Sequence, residues 1–193
     1  MKINNMIIKK NQDKIIPYVW INGEENEINA GVDMAGEGSH LTIVGIFLGS
    51  GNNMVTFNTK VVHKAAKTKS MTAIRGVFFD NSSFNNDGLI RIDKGAVGAD
   101  GYFASKILLF DNAKGRSVPS LEIDENDLKA GHASTVGRPD EEQMFYLRSR
   151  GLSEKEAQNI IVSGFFEPAV NLLPQKDRAE VKTKIAQYLE KMN

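Results

Sequence analysis

Three side chains in this chain carry an imidazole, His40, His63 and His132, and none carries a thiol. Without cysteine, the chain's own residues supply no disulfide, no thiolate metal site, no cysteine-ligated iron–sulfur cluster and no cysteine nucleophile. The histidines are scattered. None forms an i, i+4 ligand pair with another His, Asp or Glu, and His40 and His63 read as structural or exposed. Glu122, Asp124, Glu125 and Asp127 lie in a row. A strand would put Glu122 and Asp124 on one face, in reach of a hard cation, although a solvated strand end explains the same residues. Asp140, Glu141 and Glu142 are accounted for by the first turn of a helix, where the backbone dipole favours carboxylates.

Phosphate and acyl-transfer chemistry find no support. Gly36-Glu37-Gly38 and Gly49-Ser50-Gly51 lack the Lys-Ser/Thr that completes a phosphate loop, and no G-x-S-x-G occurs. Gly95, Gly98 and Gly101 read as turn residues with positive φ. One segment is harder to explain by structure alone: Lys129-Ala130-Gly131-His132-Ala133-Ser134-Thr135-Val136-Gly137-Arg138. It is small and polar, carries one imidazole at its centre, and reads as a loop from the last strand to the first helix. Loops on a rigid scaffold commonly carry function, which makes His132 a candidate site residue.

Two textures divide the chain near residue 138. Before it, short apolar segments alternate with turn residues. Val55, Phe57, Thr59 and Val61 alternate with Thr56, Asn58 and Lys60, the period of a half-buried strand. Leu41–Leu48, Ile74–Phe79, Leu89–Ile92, Ile107–Phe110 and Leu121–Ile123 continue the series. Gly49–Asn53, Asp80–Ser83, Asn85–Gly88 and Asp111–Gly115 read as turns between them. Such a series fits a sandwich, a barrel or a solenoid, and pattern does not choose among them. After residue 138 the pattern is helical. Pro139 suits a first helical position and Gly151 a C-cap. Ser153 with Glu156 is a capping box for a second helix running to about Phe166, with Pro168 as its stop. Pro174 opens a third, striped by Val181, Ile185, Tyr188, Leu189 and Met192. The domains expected are 1–138 and 139–193.

Composition narrows the class. The chain has 193 residues with 24 basic and 24 acidic side chains and is 41% hydrophobic. That is the profile of a soluble globular protein, and a net charge of zero argues against a general nucleic-acid partner. No apolar run approaches membrane-spanning length and the start lacks a signal-peptide core, so a cytoplasmic location without membrane association is expected.

The run from Leu121-Glu122-Ile123 through Lys129–Arg138 to Asp140-Glu141-Glu142-Gln143-Met144-Phe145-Tyr146-Leu147-Arg148-Ser149-Arg150-Gly151-Leu152, with Glu156–Phe165 after it, resembles the C-terminal signature of the SufB/SufD family. These are scaffold proteins of the sulfur-mobilisation (Suf) system for iron–sulfur cluster assembly. Val44–Gly51, His63–Ser70, Arg75–Phe78 and Asp100-Gly101-Tyr102 extend the likeness upstream. The resemblance implies a right-handed parallel β-helix followed by a small helical domain. It implies a non-enzymatic subunit that binds a SufC-like ABC ATPase through its C-terminal helices, with Phe145, Tyr146, Leu147, Arg148, Ile160 and Phe165 at that surface. It also implies pairing, with a second SufB/SufD-type subunit or with itself as a dimer.

There are departures from the family pattern. Typical members are more than twice as long and have an N-terminal helical domain that is not expected here. His132 occupies the place of a histidine in the SufD branch, but Ala130 stands where that branch has cysteine. Ala133 stands where the SufB branch has glutamate. One imidazole cannot hold an iron–sulfur cluster. No cofactor is therefore expected on this chain alone, and a nascent cluster would touch His132 only beside ligands from a partner. The alternatives are a regulatory ATPase-binding module without a cluster role and, with less support, a β-helix enzyme acting on polysaccharide.

Overall fold

The computed structural model describes residues 6–192. Ten strands are followed by three helices. Strands β1 (Met6–Ile8), β3 (Glu27–Met34), β5 (Met54–His63), β7 (Ser83–Ile92) and β9 (Lys114–Ile123) form one parallel sheet. Strands β2 (Asp13–Ile21), β4 (His40–Gly49), β6 (Lys69–Phe78), β8 (Ala99–Leu109) and β10 (Leu128–Gly137) form the other. Successive strands alternate between the sheets, so the chain winds as a parallel β-solenoid of about five turns. Asp13 pairs with His40, His40 with Lys69 and Lys69 with Asp100, and the facing sheet keeps the same step. Each rung consumes 26 to 31 residues.

The corners set that step. On one side Asn22, Gly51, Asp80 and Asp111 have φ of 45°, 67°, 56° and 48°. On the other, Asn11, Gly38, Lys67 and Gly98 have φ of 53°, 68°, 55° and 69°. Each of these eight corners places a residue in the left-handed region, which glycine, asparagine and aspartate enter most readily, whereas the last corner, 124–127, has none. The corners also bond one another. Asp80 Oδ2 accepts from the Gly51 amide at 2.8 Å and Asp111 Oδ2 from the Asp80 amide at 3.0 Å.

Inside the coil, alternate residues of both sheets meet. Phe47, Phe57, Phe78, Phe84 and Phe103 are fully buried, and neighbouring rings lie 4.9–5.3 Å apart from Phe57 through Phe47 and Phe84 to Phe78. Two polar residues in this interior, Asn86 and His63, are paired. Asn86 donates to the Phe57 carbonyl, and its own Oδ1 accepts from Ser117 Oγ at 3.2 Å. His63 is sealed between Thr68 Oγ1, 2.7 Å from Nδ1, and Ser70 Oγ, 2.8 Å from Nε2. Thr68 spends its hydroxyl hydrogen on the Ala65 carbonyl, so it accepts from His63 Nδ1–H and Ser70 donates to Nε2.

The helices are α1 (Glu141–Ser149), α2 (Glu154–Val170) and α3 (Gln175–Lys191). They complete a second core. Val44, Ile46, Leu48 and Val77 on the outer face of the β4/β6 sheet, with corner residues Phe79 and Phe110, pack against Val162, Phe166, Ala169, Val170, Val181, Ile185 and Leu189.

Several expectations are corrected. Lys129–Arg138 is not a loop: its first nine residues lie in β10, held by full register with β8, because the main-chain ladder suits its small residues. Asn85–Gly88 is strand rather than turn, since Asn86 finds internal partners and Gly88 clears space for a ring. Gly101 has no positive φ; it is a buried strand position where a Cβ would lie 2.9 Å from Ile90 Cγ2. Glu122 is in β9 but Asp124 lies beyond its end, so the two share no strand face. Asp140, not Pro139, opens the first helix: its carboxylate accepts from the Glu142 amide at 2.8 Å. The Ser153–Glu156 capping box is present, but α2 runs through Pro168 to Val170. Burial of Ala169 and Val170 outweighs the one helical bond that proline removes.

Burial lowers the His63 pKa from 6.5 to about 4, with Asp100 pulling weakly the other way. The unfolded chain therefore binds this proton more readily than the folded one. Stability is unaffected above pH 6.5 and falls between pH 6.5 and 4, by roughly 3 kcal/mol at the acid limit. Urea titrations across that range should show the loss, and His63→Gln should flatten it. Gly88→Ala is expected to lower stability by about 1–3 kcal/mol, because its Cβ would fall 2.1 Å from the buried Phe103 ring; the urea midpoint measures it.

Candidate functional site

Two surfaces bear the residues singled out from sequence. The first is the open end of the solenoid. β10 pairs with β8 such that His132 lies level with Phe103, Ala130 with Gly101, and Ser134 with Ser105. Residues in parallel register point to the same side, and Phe103 and Ser105 point inward. His132 is therefore on the inner side of the last rung. It stays exposed because no further rung covers it among the described residues. Ser134 Oγ reaches the Ser117 carbonyl of β9 at 3.4 Å, and Ser105 Oγ, buried beneath, has no hydrogen-bond partner among the described residues. Leu128 and Leu121 are half-buried, and Ile123 and Val136 are exposed, so the end rung is an unfinished apolar core. No group of three or more His, Asp and Glu able to hold a metal ion occurs among the described residues.

The second surface is the cleft where α1 leans on α2. None of the α1 residues is buried, and two of its aromatic side chains face solvent: Phe145 is 74% exposed and Tyr146 61%. A groove of about 630 Å³ runs between the two helices and the end of β8. Tyr146, Leu147, Ile160 and Phe165 line it, with Leu108 and Ile161. Phe145 and Arg148 lie outside it; Arg148 faces Glu154 at 3.9 Å in an exposed pair that contributes little.

Sequence reasoning did not find the residue that holds this cleft to the solenoid. Arg75 of β6 donates from Nη1 to the Phe165 carbonyl at 2.6 Å, and its guanidinium lies 5.0 Å from the Phe165 ring centre. Pro168 removes the amide that would bond the adjoining Gly164 carbonyl, so α2 lacks one helical bond here. Partial burial lowers the Arg75 pKa, yet guanidinium stays charged at neutral pH. The two residues are 90 positions apart, and nothing local in sequence links them. Gly164 and the carboxylates of Asp140 and Glu142 also line the groove and were missed as site residues.

The acidic row serves a corner instead. Glu125 accepts from the Gly95 and Asn126 amides, both at 2.8 Å, and these bonds hold its carboxyl below the usual range. No helix among the described residues is long and apolar enough to cross a membrane.

Stacked parallel strands with a helical layer packed on one of the two sheets define a β-solenoid protein with C-terminal helices. The chain belongs to the SUF system FeS cluster assembly family: residues 17–165 match its SufBD core domain. It is 32% identical over 160 residues to the iron-sulfur cluster assembly protein SufD of Bacillus subtilis, covering 82% of this chain and 36% of that protein. It is 32% identical over 175 residues to a SufBD family protein of Mycobacterium leprae, covering 90% of this chain and 19% of that one. A SufBD family protein of Synechocystis is 29% identical over 158 residues, covering 81% and 33%. The chain thus spans about a third or less of the length of these relatives.

Replacing Arg75 by Met keeps the stem and removes the bond to α2. Stability should fall by about 2 kcal/mol, and α2 amides should lose hydrogen-exchange protection before those of the strands.

Proposed function

We propose that this chain is a non-enzymatic assembly subunit for iron–sulfur clusters that docks an ABC-type ATPase of the SufC kind through α1 and α2. The observation that carries this is α1 itself. A nine-residue helix without a buried side chain leaves Phe145 and Tyr146 in water, and solvent-facing aromatics beside an apolar groove are the composition of a protein interface. Membership of the SufBD family supports the choice of partner.

The same reading has the solenoid pair through β10. Four strands edge the two sheets: β1, β9, β2 and β10. β2 contains Pro17 and β9 contains Pro119, and β1 offers three described residues. Proline lacks the amide that a new neighbour would need. β10 is ten residues long and has none, so its outer edge is free to accept a strand from a second scaffold subunit or a second copy. That would bring a partner's ligands to His132, which supplies at most one imidazole to a nascent cluster cargo.

The lack of cysteine favours a second reading, a regulatory ATPase-binding module with no cluster role. Anaerobic reconstitution with iron and sulfide, with the ATPase and a second scaffold subunit present, separates the two: cluster absorbance that His132→Ala reduces supports assembly, and none supports regulation. For docking, the double variant Phe145→Ser/Tyr146→Ser should lose co-purification of the ATPase while its melting temperature stays unchanged. Pairing is tested by Ala133→Pro and Ser134→Pro. Successive residues direct their amides to opposite edges, so one variant blocks the outer edge and should give monomers by light scattering without unfolding.

A further inference from the structure

We propose that the groove between α1 and α2 seats an amphipathic helix of the docked ATPase, one with an apolar ridge flanked by lysine or arginine. This rests on the docking reading above and names what occupies the site. The floor is apolar: Leu108, Leu147, Ile160, Ile161 and Phe165. Among the described residues, the two charged ones that line the groove are carboxylates, Asp140 and Glu142, and no Lys or Arg lines it. Asp140 spends one oxygen on the α1 amides, whereas Glu142 makes no ion pair to Lys or Arg among the described residues. A long cationic side chain lying along the rim would meet both acids while its stem covers apolar surface.

A helix fits where a strand does not. The nearest strand is β8, and both of its edges are already paired, with β6 and β10. Two helices with an apolar floor between them offer a furrow for a third. Gly164 widens that furrow: a Cβ there would meet nothing within 4 Å, so the space above it is open. The occupant comes from another chain. The apolar stripe of α3, Val181, Ile185 and Leu189, is spent on the second core. The α1 of a second copy would bring Glu141 and Glu142 against Asp140 and Glu142, a like-charge contact.

Gly164→Leu fills the groove while improving helix propensity, and Glu142→Lys reverses the rim, so both should keep the fold. Affinity is measured calorimetrically with the full chain against two probes: the purified SufC-type ATPase of the same organism, and designed 18-residue helices with a leucine ridge flanked by lysine or by glutamate. The proposal expects each variant to weaken ATPase binding about tenfold or more, the lysine peptide to bind the wild type, and the glutamate peptide not to bind. ATPase binding that neither variant changes overturns the groove and leaves the docking reading standing. A lysine peptide that binds wild type but not Gly164→Leu, with no ATPase binding, upholds the groove and removes the ATPase as its partner. Equal binding of both peptides overturns the basic flank, and no binding of any probe overturns both readings.

Discussion

The strands stack in register because the backbone turns back on itself, at eight successive corners, in a conformation most residues avoid. Asn22, Gly51, Asp80 and Asp111 on one side, and Asn11, Gly38, Lys67 and Gly98 on the other, all sit in the left-handed region. Their regular recurrence holds each strand opposite its equivalent in the previous rung. A corner one residue longer would turn every side chain of the next strand to the other face. The aromatic column inside, the row Val44, Ile46 and Leu48 outside, and the inward aim of His132 all follow from that step.

From that coil, two dissimilar surfaces arise. The end rung exposes an unfinished interior with one imidazole in it, because stacking stops there rather than because any loop holds it. The α1/α2 cleft is attached from outside, by the shared apolar layer and by the guanidinium of Arg75 gripping a carbonyl beside the proline of α2. The first inherits the rigidity of the ladder. The second leans on a helix that makes no contact deep enough to bury a residue, which suits a segment that completes its packing against another molecule.

Much of this was readable in the chain, unevenly. The alternation from Val55 to Val61 is β5 as expected, and the Ser153–Glu156 cap and the α3 stripe stand where the pattern puts them. β2, with proline in its middle, went unread because central strands exclude proline while edge strands tolerate it. β10 passed for a loop because small polar residues carry no face preference when both faces meet solvent. Asn85–Gly88 and Pro168 misled for one reason: local propensity was outvoted by internal hydrogen bonding and burial. The groove was half legible. Tyr146, Leu147, Ile160 and Phe165 are the lining residues that the family resemblance had singled out, while Leu108 and the clamp by Arg75 depend on contacts across the fold.

Arrays of stacked units elsewhere gain and lose copies freely, since each unit touches only its neighbours. Here the helical layer spans β2, β4 and β6 and the corners at Phe79 and Phe110 at once. It works as a ruler laid across consecutive turns. Duplicating or deleting a turn beneath it would slide Val77 or Val44 out from under Phe166 and Val181, so copy number within this stretch is locked by packing, and variation in length is confined to the turns beyond the ruler's ends.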